Sequence, residues 1–263
     1  GITESHVRTA RHGYLANVSY FDDMLGDLLD TLRQTGLSHN TVVLLTADHG
    51  DMLGEHGLWF KKHFNDHASR VPLIVHAPEY FANGRSLVNV SLVDLLPTLC
   101  DLAGLKVTEH APQTLDGTSL VSQCEHPEHS NSGAVYAEIT SEGVPAPMFM
   151  VRSGQFKLIQ GGDVPPVLYD LANDPEERSN VVGQPELTDT RRSLESLIQD
   201  CWDPASLERD IRLSQRRRRL VHAAHQKGTA PVWDHRPEDP TVPWIHRGPE
   251  LYNDWAWLGI ETP

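Results

Sequence analysis

The chain has 263 residues, and 22 Lys and Arg against 36 Asp and Glu give it a formal net charge of −14. Hydrophobic residues make up 39% and charged residues 22%, the balance of a water-soluble globular protein, and no apolar run approaches the ~18–20 residues that a membrane helix needs. The acidic balance argues against nucleic acid as a partner, because binding phosphates needs positive surface and only Arg216-Arg217-Arg218-Arg219 supplies a run of it. That run is expected to pair with acidic surface or a partner subunit.

The opening residues 1–11 are polar and weakly patterned. Val18, Phe21, Leu25, Leu28 and Leu32 then recur at spacings of three and four, one face of an amphipathic helix over 14–35 that Gly36 stops. Thr41-Val42-Val43-Leu44-Leu45 predicts a strand buried on both faces, hence a parallel one. Val71-Pro72-Leu73-Ile74-Val75-His76 predicts a second strand, with His76 as a hydrogen-bonded core histidine. Ser91 can cap a further helix that ends at Gly104, with Pro97 expected to kink or shorten it. Helix, strand, loop, strand and helix in this order predict an α/β layer architecture.

From about 109 to 133 the composition turns to Pro, His, Ser, Asn and Glu, which marks a loop or domain boundary. Strands are predicted at 134–139, 148–152 and 156–159, the last two joined through Ser153-Gly154 as a small antiparallel sheet. Leu194, Leu197, Ile198 and Cys201 fall on one helix, and 207–224 form another. The segment from Lys227 onward is an irregular tail carrying Trp233, Trp244, Trp255 and Trp257. This divides the chain into an α/β portion (1–122), an antiparallel subdomain (123–182) and a helical and irregular tail (183–263). Cys100, Cys124 and Cys201 are odd in number and far apart, so they give neither a disulfide framework nor a thiolate metal cluster; a reducing, cytoplasmic compartment is expected.

The chemistry concentrates in the segment from Thr46 to Lys61. Asp48 and His49 lie at the carboxyl end of the first predicted strand, the edge where open α/β sheets bind ligands. Adjacent carboxylate and imidazole can share a divalent cation, Gly50 lets the backbone turn beside them, and Lys61 adds a positive charge for an anionic substrate. Equally, Asp48 can cap the next turn with His49 as a satisfied loop histidine.

Several motifs in order resemble the sulfatase branch of the alkaline phosphatase superfamily. They are Asp48-His49-Gly50-Asp51 after a strand, Glu55-His56-Gly57-Leu58-Trp59-Phe60-Lys61, Arg70-Val71-Pro72-Leu73-Ile74-Val75, the helix from Ser91 to Thr98, and Leu168-Tyr169-Asp170-Leu171 with Asp174-Pro175-Glu176-Glu177. The Arg-rich helix near 214–220 and Trp233-Asp234-His235-Arg236-Pro237 are similar to the tail of choline sulfatases. The resemblance implies the C-terminal part of an alkaline-phosphatase-like sandwich, a mostly parallel sheet with flanking helices, and hydrolysis of a sulfate ester such as choline sulfate. A phosphonate or phosphate ester hydrolase, or a homologue without chemistry, are its alternatives. It implies Asp48 and His49 as ligands of one divalent cation, Ca2+ first and Mn2+ or Mg2+ as alternatives, and Lys61 as a catalytic contact to the sulfate.

The resemblance further implies a formylglycine nucleophile from a Cys-x-Pro-x-Arg motif, which none of the three cysteines offers, so the chain is expected to be a C-terminal half. The paired aspartates of the family's metal site are also missing, since Asp22-Asp23 falls on a predicted helix. Glu138, Glu142, Asp254, Trp255 and Trp257 are candidates for a quaternary ammonium substrate, and His56 and His63 for supporting the cation ligands, with surface packing as the competing role of each. The resemblance also implies a homo-oligomer assembled through the tail.

Overall fold

The computed structural model describes residues 1–105, 114–129, 133–141, 143–162 and 164–228. They fall into two units, Gly1–Ile211 and a second that begins at Arg212 and whose described part is helical to Lys227. No described helix is long and apolar enough to cross a membrane.

The first helix, α1 (Glu4–Gln34), begins well before the predicted 14. Thr3 starts it with a capping box: its side chain accepts from the His6 backbone while the His6 ring accepts from the Thr3 backbone. A capping box satisfies orphan N–H groups whatever the hydrophobic pattern, which is why the polar first turns are helical. Strand β1 (Val43–Thr46) pairs with β4 (Leu73–His76), and between them lie β2 (Met52–Leu53), β3 (Trp59–Phe60) and the short α2 (Asp66–Ser69). The expected parallel, fully buried strand is corrected here. Val43 faces His76 and Thr46 faces Leu73 in antiparallel register, all four β1 residues are half-buried, and His76 is exposed rather than core. A β-branched run specifies a strand but not its direction, and here the chain folds back through the β2–β3 hairpin to meet β1 from the opposite end.

Helix α3 (Leu95–Leu102) is neither kinked nor broken by Pro97. The proline stands in its first turn, where a backbone N–H has no helical partner to lose. Ahead of it Ser91 and Asp94 form a capping box, and the buried Asp94 carboxylate also accepts from the Thr118 backbone at 2.9 Å. Buried Thr98 donates to the Asp94 carbonyl and accepts from the Leu120 backbone, which fastens the segment before α4 (Val121–Glu125).

The antiparallel sheet has four strands rather than three: β5 (Ala134–Ile139), β6 (Met148–Ser153), β7 (Phe156–Gly161) and β8 (Val164–Asp170), in sequential order. Val151, Leu158 and Leu168 face one another across three strands and, with Phe149, pack against Leu194 and Ile198 of α5 (Thr188–Cys201). Burying six such side chains is worth ~1.5–3 kcal/mol each and makes this the core of the chain's described part. A last helix, α6 (Pro204–Lys227), follows.

The opposite face of the sheet carries Lys157, whose side chain is 1% exposed. Its ammonium donates to the Phe64 carbonyl at 2.9 Å, to Glu177 Oε1 at 2.7 Å and to Asp66 Oδ1, while Glu177 Oε2 accepts from the Asp66 backbone at 2.7 Å. Removing one partner of a buried ion pair leaves an uncompensated charge, at about 3–5 kcal/mol. Lys157→Met is therefore expected to lower unfolding stability in urea by that amount, and Lys157→Met with Glu177→Gln by clearly less than the sum of the two singles. Additive losses in the double-mutant cycle would remove the coupling.

Candidate active site

Asp48 and His49 follow β1 directly. Asp48 Oδ1 accepts from the His49 backbone at 2.9 Å, which folds the carboxylate back over the ring. His49 Nδ1 lies 2.9 Å from the Gly50 carbonyl, an acceptor only, so Nδ1 carries the ring proton. Nε2 is left with its lone pair, accepts from Lys61 Nζ at 2.8 Å, and stands 3.4 Å from Asp48 Oδ2. Carboxylate, imidazole and ammonium thus converge on one point, with Asp48 86% and His49 32% exposed.

Gly50 is needed for closeness rather than for a special backbone angle. A Cβ there would lie 2.1 Å from the His67 carbonyl oxygen, and the Gly50 N–H donates to the Ala68 carbonyl at 2.8 Å. Lys61 is delivered by strained backbone, since Phe60 (φ 64°) and Lys62 (φ 80°) on either side of it are left-handed non-glycine residues. Such conformations cost of order 1–3 kcal/mol each and persist only where the surroundings impose them.

Asp48, His49, Lys61, His63, Arg70 and Glu138 line one cavity of about 820 Å³ between the β1 edge and β5. Of the residues singled out from the sequence, His56 is not brought there: it is exposed on the left-handed turn Glu55–Gly57, outside the cavity lining. Glu142, Asp254, Trp255 and Trp257 lie outside the described residues. Arg70 joins the cavity lining from the motif Arg70-Val71-Pro72, and nothing local in the sequence marks Lys157, Asp66 and Glu177 as meeting. One carboxylate oxygen and one imidazole nitrogen suit a hard or borderline divalent cation, and the cations Lys61 and Arg70 suit a tetrahedral anion.

Known proteins are similar to this chain in sequence and in fold. Residues 3–105 match the family model described as Sulfatase, and residues 209–242 match Choline sulfatase enzyme C terminal. A choline-sulfatase of Rhizobium meliloti (strain 1021) is 38% identical over 240 residues, which cover 90% of this chain and 46% of the relative. The chain thus spans about half the length of that relative. A structure solved with its substrate D-glucosamine-2-N,6-O-disulfate aligns at TM-score 0.63 and 28% identity, over 75% of this chain and 40% of the other. The phosphonate monoester hydrolase of Agrobacterium radiobacter aligns at TM-score 0.64 and 26% identity, over 80% of this chain and 43% of the other. The mixed α/β architecture expected from the sequence is that of these neighbours.

The turn before Lys61 is tied to α1. Arg11 donates through Nη2 to Glu55 Oε1 at 2.6 Å and through Nε to the Leu53 carbonyl at 3.0 Å, and Glu55 Oε2 accepts from the Leu53 backbone at 2.6 Å. Partial burial alone would raise the Glu55 carboxyl, but the backbone N–H of Leu53 and the Arg11 charge outweigh it and hold the group below its ordinary value of 4.5. A depressed carboxyl stabilises the fold above its unfolded value and loses that contribution as pH falls through the folded one. The stability gap between wild type and Glu55→Gln, followed by thermal unfolding, should be constant near neutrality and shrink in acid. A gap that does not change with pH would remove the charge from the account.

Proposed function

The chain belongs to the sulfatase family, and on that premise we propose that it supplies the cation-holding and sulfate-binding part of a sulfate-ester hydrolase that cleaves choline sulfate. The single observation that carries this reading is the convergence of Asp48 Oδ2, His49 Nε2 and Lys61 Nζ at the end of β1. The tautomer fixed by Gly50 leaves a lone pair on Nε2, now accepting from Lys61, and such a lone pair is what a divalent ion requires. Asp48 and His49 would hold that ion, with Ca2+ ahead of Mn2+ or Mg2+. When bound, it withdraws charge from the sulfate oxygens and eases ionisation of the nucleophile.

The chain's own residues would then divide the remaining work. With His49 Nε2 engaged as a ligand, the Lys61 ammonium would lose its present acceptor and would be left to donate to a sulfate oxygen. Arg70 offers a planar fork to the same anion, and Glu138, across the cavity, attracts the quaternary ammonium head. The S–O bond to choline breaks, water supplies the oxygen retained on sulfur, and choline leaves protonated. The nucleophile, a formylglycine, belongs to residues outside this chain, and assembly through the tail is part of the same proposal.

Two experiments test this reading. On the chain itself, calorimetric titration with Mn2+ or Ca2+ is expected to show binding at least tenfold weaker in Asp48→Asn. In enzyme that carries its nucleophile, Lys61→Ala should lower kcat for choline sulfate by about 10²–10³, the worth of one preorganised contact. Undiminished turnover by a folded Lys61→Ala enzyme would dismiss that contact.

A second reading, phosphonate ester hydrolysis, is favoured by the likeness to the Agrobacterium enzyme. Both substrates present a tetrahedral anion to Lys61, but only choline sulfate gives Glu138 a cation to attract. Initial rates on choline sulfate and on phenyl phosphonate esters decide between them: a preference for choline sulfate that falls in Glu138→Gln supports the first, and a preference for the phosphonate that ignores Glu138 supports the second.

A further inference from the structure

Away from this cavity, α4 runs out into the turn His126-Pro127-Glu128-His129. Three side chains of this turn meet: His126 Nδ1 lies 3.7 Å and His129 Nε2 lies 3.8 Å from the same Glu128 Oε1, and the ligating atoms of all three residues fall within 4.8 Å of one another. The two imidazoles stack, with ring centroids 4.7 Å apart and planes at 27°. From this geometry we propose that His126, Glu128 and His129 form a second divalent-cation site, of the borderline class to which Zn2+ belongs.

The distances to the carboxylate suit the ion. Zinc binds imidazole nitrogen and carboxylate oxygen at about 2.0–2.2 Å, so two ligands on one tetrahedral ion stand roughly 3.4 Å apart. The two histidine-to-carboxylate separations, 3.7 and 3.8 Å, need to close by only a few tenths of an ångström. Two neutral imidazoles and one carboxylate also form a softer set than the oxygen-rich cages that Ca2+ and Mg2+ prefer. Three protein ligands leave a fourth position open to water.

The turn is held from behind rather than left free. Gln123 Nε2 faces the carbonyls of His129 at 3.0 Å, His126 at 3.4 Å and Pro127 at 3.5 Å, and donates at 2.9 Å to Ser86 Oγ, which anchors the amide to a separate loop. The His129 backbone N–H closes the turn on the His126 carbonyl at 3.0 Å. Pro127 packs onto Gly84 so closely that a Cβ there would lie 2.5 Å from the Pro127 ring. With the turn fastened through Gln123 and Pro127, the three side chains lose less freedom on closing around an ion than they would on a free loop. In sequence the segment carries no separate signal, because Pro, His, Ser and Glu together describe a loop equally well.

The test uses the whole chain carrying Asp48→Asn, so that the first site does not contribute and the two proposals fail separately. Competition of Zn2+ against a chromogenic chelator, with Co2+ absorption as a second readout, is expected to show one equivalent bound. Either His126→Ala or His129→Ala should weaken that binding at least tenfold while circular dichroism stays unchanged. Binding equal to the parent in both histidine variants, or no binding by the parent, would overturn the site. Folding of the variants is not at stake, because all three side chains are exposed.

Discussion

The ammonium of Lys157 is the constraint on which the arrangement around the cavity depends. Taking an ammonium out of water costs several kcal/mol unless every proton finds a partner. Lys157 finds three, the Phe64 carbonyl, Asp66 and Glu177, and it can do so only if the antiparallel sheet presses against the segment that follows Lys61. The sheet's hydrophobic core is on its other face, around Val151, Leu158 and Leu168. One strand, β7, therefore serves both faces: Leu158 fixes it to α5, and its neighbour Lys157 fixes the site loop to it. Arg152 adds a partly exposed contact to Asp66 at 3.3 Å, which is worth less because water competes for it.

The loop that carries Lys61 is thus fastened at both ends by charge. Arg11 and Glu55 hold the turn before it to α1, and Lys157 with Glu177 holds Asp66 after it. Between the two fastenings, Phe60 and Lys62 adopt left-handed conformations that a free loop would abandon. The strain is intelligible as the cost of bringing Lys61 to His49 while Phe60 stays 73% exposed. These two ion pairs fix the loop on either side of Lys61, the kind of pre-positioning that the proposed contact to an anion would draw on.

Much of this was legible in the residue order, and the exceptions share a cause. Strands β5, β6 and β7 and helices α5 and α6 were legible because their apolar periodicity is local. The pair Asp48-His49 was legible because adjacency and a preceding strand are local too. Direction of pairing was not: nothing in Val43-Leu44-Leu45 distinguishes an antiparallel partner at Leu73–His76 from a parallel one. Strand β8 was hidden by Pro165 and Pro166, which discourage a strand reading, yet it holds the sheet's edge, where missing N–H groups are tolerated. Lys157 was hidden for the converse reason: a lysine in a strand normally points to water, and only contacts with Phe64, 93 positions earlier, and Glu177 reverse that expectation.

Helix α1 shows the same separation of pattern from outcome. Of the apolar stripe that predicts the helix, Val18, Phe21 and Leu28 are each about half exposed and Leu25 and Leu32 only partly covered, and no residue of α1 is buried among the described residues. The helix is therefore held by its ends and its backbone: the Thr3 capping box, 31 residues of hydrogen-bonded turns, and the Arg11 contact to the Glu55 turn. Helices in proteins draw most of their stability from tertiary contacts, so the Arg11 contact works in both directions, orienting the site loop and anchoring the helix. The stripe itself encodes a burial that these residues do not provide, whereas the site's geometry draws on polar contacts that they do. That difference lets the Asp48, His49 and Lys61 constellation be well formed beside a helix whose apolar face is open.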